Sequence, residues 1–236
     1  MNAGIHDHIV KSFDEEMSRL TGEIAAMGDL AVRQLESAMD ALGKRDSHAA
    51  QQVADNDNVL DAQERQISDD VLRLLALRQP MARDLRETLA ALRIASDIER
   101  IGDYAANVAK RSMTLNLSAP VPLAGGLAPM ARMAGELVRE AMRAYVAHDA
   151  EMARAVWQRD ADLDALYTTL FRELLTYMME DPRSISACTH LLFIAKNIER
   201  IGDHATNVAE NIWFVVRGEP LDEPRPKQDR TLEAPP

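Results

Sequence analysis

Eight carboxylates fall into four pairs of one form, an acidic residue followed one helical turn later by an aspartate: Asp57/Asp61, Glu99/Asp103, Asp160/Asp164 and Glu199/Asp203. On a helix of 3.6 residues per turn, both members of a pair project from one face. Like charges at that spacing destabilise a helix by ~0.2–0.5 kcal/mol per pair. A place on an interior stripe adds a desolvation cost. A chain that repeats this four times at matched positions implies a compensating cation. Two helices that each offer two carboxylates on facing stripes form an all-oxygen site suited to hard or borderline ions such as Mg, Mn or Fe. The competing reading is a merely solvated face, with Arg100 pairing with Asp103 or Asp97 and Arg200 with Asp203; these arginines are too few to neutralise eight carboxylates. Asn107 and Asn207 lie one turn beyond the aspartates on the same face. They serve either as outer donors to the ligand carboxylates, alongside Arg100 and Arg200, or as backbone caps. His204 follows Asp203 but projects about 100° away from it. Tyr104 stands at the matching position, so His204 is not expected among the ligands.

The pairs match because the chain is duplicated. Ile98-Glu-Arg-Ile-Gly-Asp-Tyr-Ala-Ala-Asn-Val-Ala109 returns as Ile198-Glu-Arg-Ile-Gly-Asp-His-Ala-Thr-Asn-Val-Ala209, ten of twelve positions being identical at an offset of 100. Upstream, Val53, Asp57, Leu60 and Asp61 return as Val156, Asp160, Leu163 and Asp164 at an offset of 103, and Met27, Ala38, Met39 and Asp46 as Met130, Ala141, Met142 and Asp149. A tandem repeat of a unit of about 100 residues follows. Each unit reads as three helices. In the first they run from Asp14 to Leu42, from the capping Asp46 to Leu77, and, after a break at Pro80, from Ala82 to Met113. In the second they lie near 127–147, 149–180 and 184–217, punctuated by Asp149 and by Glu180-Asp-Pro-Arg183. The expected architecture is all-α, two tandem antiparallel three-helix bundles over 1–116 and 127–217, joined by a linker over 117–126. The tail over 218–236, rich in Pro, Asp, Glu, Lys and Arg, is expected to be disordered. On the third helices, a stripe beginning at Leu85 or Ile185 and ending in the carboxylates is expected to face the core. Mid-helix Gly102 and Gly202 cost ~1 kcal/mol each relative to Ala, which close packing against a neighbouring helix would explain.

Composition narrows the chemistry. Only 4% of residues are aromatic and Gly and Pro number ten each, which favours helix over a β-sandwich or barrel. The one cysteine, Cys188, excludes an intramolecular disulfide framework and a cysteine zinc site. A net charge of −11 repels a phosphate backbone and argues against nucleic-acid binding. It suits metal cations or a basic protein partner. The start of the chain lacks the apolar core of a signal peptide, and no apolar run reaches the ~18 residues of a spanning helix, so a cytoplasmic setting is expected. The carboxylates do not fall in the Glu-x-x-His spacing of ferritin-type di-iron sites. The chain also lacks a glycine-rich phosphate loop and a nucleophilic triad, so an enzyme is not expected.

Duplicated three-helix units carrying Glu-Arg-Ile-Gly-Asp-x-x-x-Asn, with Asp-x-x-x-Asp on the preceding helix, resemble the PhoU family. Arg78-Gln-Pro80, Thr176-Tyr-Met-Met-Glu-Asp-Pro-Arg-Ser-Ile185 and the opening His8-Ile-Val-Lys-Ser-Phe-Asp-Glu-Glu-Met17 are similar to the family as well, so the resemblance runs from about residue 6 to 217. It implies a regulator that represses the phosphate-starvation regulon and restrains phosphate uptake. The implied partners are the ATPase subunit of the phosphate ABC transporter and a phosphate-sensing histidine kinase. A homodimer is implied too, cytoplasmic or peripheral at the inner membrane through those partners. It also implies multinuclear metal binding through the eight carboxylates named above, the ion being Fe, Mn, Mg or Zn. Asp97 becomes Asn197 in the second motif, so the two clusters need not be equivalent. Two other readings stay open: a helical metal-binding regulator of another transporter, and a di-metal carboxylate enzyme.

Overall fold

The computed structural model describes residues 3–221, with side chains from Phe13 onward. Within them lie seven α-helices: α1 (Ala3–Lys44), α2 (Ser47–Asp55), α3 (Asp57–Arg78), α4 (Arg83–Leu115), α5 (Leu127–Ala147), α6 (Ala150–Glu180) and α7 (Ile185–Arg217). Short 3-10 turns at Pro122–Gly126 and Pro182–Ser184 lead into α5 and α7. There is no strand among the described residues. No helix there is long and apolar enough to cross a membrane. Most of the tail expected over 218–236 lies outside the described residues.

The duplication is visible at its punctuation. Arg45 and His148 both take the left-handed conformation that ends a helix. The aspartate after each begins the next helix: Asp46 Oδ1 accepts from the amides of His48 and Ala49, and Asp149 Oδ1 from those of Glu151 and Met152, all at 3.0 Å. Each carboxylate satisfies amides that the first turn leaves without partners. Replacing either by alanine is expected to lower the unfolding free energy by ~1 kcal/mol. Urea denaturation read by circular dichroism checks this, with the midpoint falling and the slope unchanged.

The repeats differ where the second helix of the first unit breaks. The sequence pattern expected one helix from Asp46 to Leu77; the structure has α2 and α3, separated at Asn56. The local run Asp55-Asn-Asp-Asn58 places four residues whose short polar side chains compete with helical hydrogen bonds, whereas its counterpart in α6 is Gln158-Arg-Asp-Ala161. At the amino end, α1 begins at Ala3, well before the expected Asp14, and no proline interrupts that stretch.

Each unit packs its helices on one another, and the units join through α4 against α7 and α1 against α5. Asp97 meets Asn207, Tyr104 meets Arg200 and Arg111 meets Phe193, so α4 and α7 run antiparallel. Residues at matching repeat positions meet between the units: Tyr104 of α4 meets His204 of α7 with ring centroids 5.6 Å apart, and Glu36 of α1 pairs with Arg139 of α5. One apolar cluster runs through both units. Its α4 and α7 faces are Ile94, Ile98, Ile101, Ala105 and Val108, and Ile194, Ile198, Ile201, Ala205 and Val208. The stripe expected to face the core is displaced from this one. Leu85, Leu89 and Ile185, at its start, are exposed. It runs instead along the margin where α4 meets α3 and α7 meets α6, so one flank reaches water while the buried isoleucines fill the centre.

Candidate metal centre

The acidic pairs of α3 and α4 are brought together. One carboxylate oxygen each from Asp57, Asp61 and Asp103 lies within 4.8 Å of the others, and this is the one such group among the described residues. All three are half-buried. Glu99 stands one turn before Asp103 on α4, also half-buried. Arg100 donates to Asp103 Oδ2 at 2.9 Å and approaches Glu99 at 3.6 Å, as the sequence spacing allowed. Burial, then the nearby Asp103 charge, raises the Asp57 carboxyl above its ordinary value; Lys110 and Gln34 act against the rise. Glu99 is raised by the same two causes, burial first and Asp103 second. Mutual repulsion of this kind is what a bound cation relieves.

Gln34 of α1 completes the wall of this cluster. It is 7% exposed, its amide nitrogen lies 3.4 Å from Asp57 Oδ1 and from the Val53 carbonyl, and its Oε1 is buried without a hydrogen-bond partner. Gln34 escaped the reading of the sequence, although it is a polar residue on the same face of α1 as Leu20, Ile24, Met27 and Ala31. Hard oxygen donors, convergence and an orphaned amide oxygen fit a hard cation.

The second cluster is built differently. Asp160, Asp164 and Glu199 are 3%, 4% and 5% exposed. Trp157, Tyr167 and Phe171 stand on α6 where α2 and α3 carry Ala54, Glu64 and Ser68, and Leu137 replaces Gln34. Lys196 Nζ donates to Glu199 Oε1 at 2.7 Å and lies 5.1 Å from the centre of the Tyr167 ring. Glu199 Oε2 is buried without a hydrogen-bond partner. Burial pushes the Glu199 carboxyl up to about 7; the Lys196 hydrogen bond lowers it, and Asp203 and Asp164 raise it. Asp203 is half-buried on α7 beside this group.

Gly102 and Gly202 explain themselves here. A Cβ on Gly102 would strike the Leu60 side chain, and one on Gly202 would lie 2.5 Å from Leu163 Cδ2 and 2.6 Å from Asp160 Oδ1. The glycines let the second helix of each unit approach closely enough for the acidic stripes to face one another.

The outer residues divide. Arg100 serves the first cluster, whereas Arg200 donates to the Tyr104 hydroxyl at 3.1 Å. Asn207 does not reach back to the acidic pair of its own helix with its amide; it donates to Asp97 Oδ1 at 3.2 Å, which also meets His204 Nδ1 at 2.7 Å. His204, turned away from the carboxylates as its position indicates, and Asn207 thus pin α7 to α4. This junction went unread in the sequence, since it needs the antiparallel register of α4 and α7. Asn107 is half-buried one turn beyond Asp103.

Comparison with known proteins gives a consistent result. The PhoU domain model matches residues 24–112 and again 127–212. The phosphate-specific transport system accessory protein PhoU homolog of Xylella fastidiosa (strain 9a5c) is 56% identical over 231 residues, covering 98% of both chains. The protein of the same name from Rhizobium meliloti (strain 1021) is 48% identical over 96% of both chains. The crystal structure of PhoU from Pseudomonas aeruginosa superposes with a TM-score of 0.84 at 39% identity, covering 88% of this chain and 100% of that one. The phosphate transport system regulatory protein PhoU from Streptococcus pneumoniae superposes with a TM-score of 0.83 at 28% identity, covering 89% and 100%.

Proposed function

Because the chain belongs to the PhoU family, we propose that it is the regulatory accessory protein of a phosphate-specific transport system. In this reading it represses the phosphate-starvation regulon and restrains phosphate uptake when phosphate is plentiful. The observation that carries the reading is kinship across 98% of the chain with a protein named as such an accessory.

The protein acts by binding. Its partners in this reading are the ATPase of the phosphate transporter and the cytoplasmic region of a phosphate-sensing histidine kinase, with a second copy of the chain completing a homodimer. A net charge of −11 favours basic partner surfaces and a salt-dependent association. The antiparallel α4–α7 junction makes one body of the two repeats, so the faces offered by each repeat keep a fixed spacing.

Metal enters at the carboxylates. Asp57, Asp61 and Asp103, with Glu99 alongside, would hold a hard or borderline cation in the first repeat; Asp160, Asp164, Glu199 and Asp203 are the corresponding groups in the second. The ion would supply positive charge that fastens α3 to α4. The chain's own part is to bring the acidic stripes together: Gly102 and Gly202 permit the approach, Arg100 orients Asp103, and Gln34 positions Asp57.

In a strain lacking this chain, alkaline phosphatase is expected to be expressed constitutively at high phosphate, and the intact gene should restore repression. Unchanged repression in the deletion strain would overturn the proposal.

A further inference from the structure

The two carboxylate clusters descend from one repeat, yet the residues around them have diverged in a coherent direction. At the position one turn before the glutamate, the first repeat has exposed Ser96 and the second has Lys196. The Lys196 ammonium is 2.7 Å from Glu199 Oε1 and sits over Tyr167. Glu64 stands in the first repeat where Tyr167 stands in the second, so the aromatic platform for an ammonium is also missing there. In the first repeat three carboxylate oxygens converge within 4.8 Å, and no second such triplet is found among the described residues. Neighbouring repeat positions follow suit, with Gln34, Ala54 and Ser68 in the first repeat and Leu137, Trp157 and Phe171 in the second.

We infer that Lys196 is a resident cation of the second cluster, standing where the first cluster leaves a place for a metal ion, so that the two repeats bind different numbers of ions. An ammonium on a carboxylate oxygen supplies the charge that a metal would bring, and it excludes a second cation from the same space by like-charge repulsion. The aromatic face of Tyr167 holds the ammonium in place. The first cluster has neither the ammonium nor the ring, since Ser96 and Glu64 occupy those positions. The inference rests on the metal reading above and adds to it which repeat takes more metal, and why.

The test is reciprocal exchange of the two residues, with Mn²⁺ binding measured by equilibrium dialysis on the full chain after chelator treatment. Lys196→Ser is expected to raise the number of bound ions by one, or to tighten the weaker class at least tenfold. Ser96→Lys, at an exposed position that tolerates a long side chain, is expected to weaken binding at the first cluster at least tenfold. In chelator, Lys196→Ser should melt at a lower temperature than the wild type, because Glu199 loses its partner, and Mn²⁺ should restore the loss. Unchanged stoichiometry and affinity in both variants would overturn the inference while leaving the metal reading intact. No Mn²⁺ bound by the wild type or by either variant would overturn both.

Discussion

Gly202→Ala is expected to destabilise the protein, although alanine is the better helix former. The helix-propensity gain is ~1 kcal/mol. Against it stands a new methyl 2.5 Å from Leu163 Cδ2 and 2.6 Å from Asp160 Oδ1. Leu163 is fully buried and Asp160 nearly so, so a shift of either side chain disturbs packed neighbours. Overpacking of this kind costs ~1–3 kcal/mol, and valine at the same site more. For a chain of this size ~1 kcal/mol moves the melting midpoint by ~2–4 °C, so Gly202→Val is expected to melt clearly below the wild type. Gly22 serves as the control: it lies on the exposed side of α1 with nothing within 4 Å of a Cβ, and Gly22→Ala is expected to stabilise by ~0.5–1 kcal/mol. The clash with Leu163 also predicts coupling. Gly202→Ala with Leu163→Ala should lose less stability than the sum of the single losses. Additive losses in differential scanning calorimetry would remove the steric explanation.

That close approach was partly legible in the sequence. A glycine kept in the middle of an acidic helical motif, twice, signals a neighbour at short range, and the offset of 100 pairs Gly102 with Gly202. The capping aspartates Asp46 and Asp149 were legible too, because a short acceptor before an apolar-periodic run has one common use. What the pattern could not give was helix rotation. A stripe drawn from Leu85 through Glu99 and Asp103 has the right spacing for a core face, yet Ile94, Ile98 and Ile101 form an equally regular stripe, and burial goes to the more apolar one. The break at Asn56 was hidden for a related reason: the heptad-like spacing of Val53, Asp57 and Leu60 continues across it, and only the density of Asp and Asn marks it. The roles of Lys196, Gln34 and Asn207 depend on which helices touch and in which direction, and spacing within one helix carries no such information.

The second large effect concerns the first carboxylate cluster. Asp61→Asn together with Asp103→Asn is expected to abolish the first repeat's share of the metal-dependent stability. A ligand present at one hundred times its dissociation constant stabilises the folded state by ~2.7 kcal/mol, so Mn²⁺ should raise the wild-type midpoint by several degrees. The double variant should show little of that shift from its first repeat. Without metal it is expected to be at least as stable as the wild type, because two of the charges crowded around Asp57 and Glu99 are gone. This opposite response with and without metal separates loss of a ligand from loss of fold.

The same variant tests most directly whether the acidic stripe carries the regulation. A deletion strain with an alkaline phosphatase reporter would be complemented either by the wild-type gene or by Asp61→Asn/Asp103→Asn, at matched protein levels and high phosphate. The expected result is repression by the wild type and constitutive expression with the folded double variant. Full repression by a double variant shown to have lost its first-cluster metal would contradict the link between that cluster and control of the phosphate regulon.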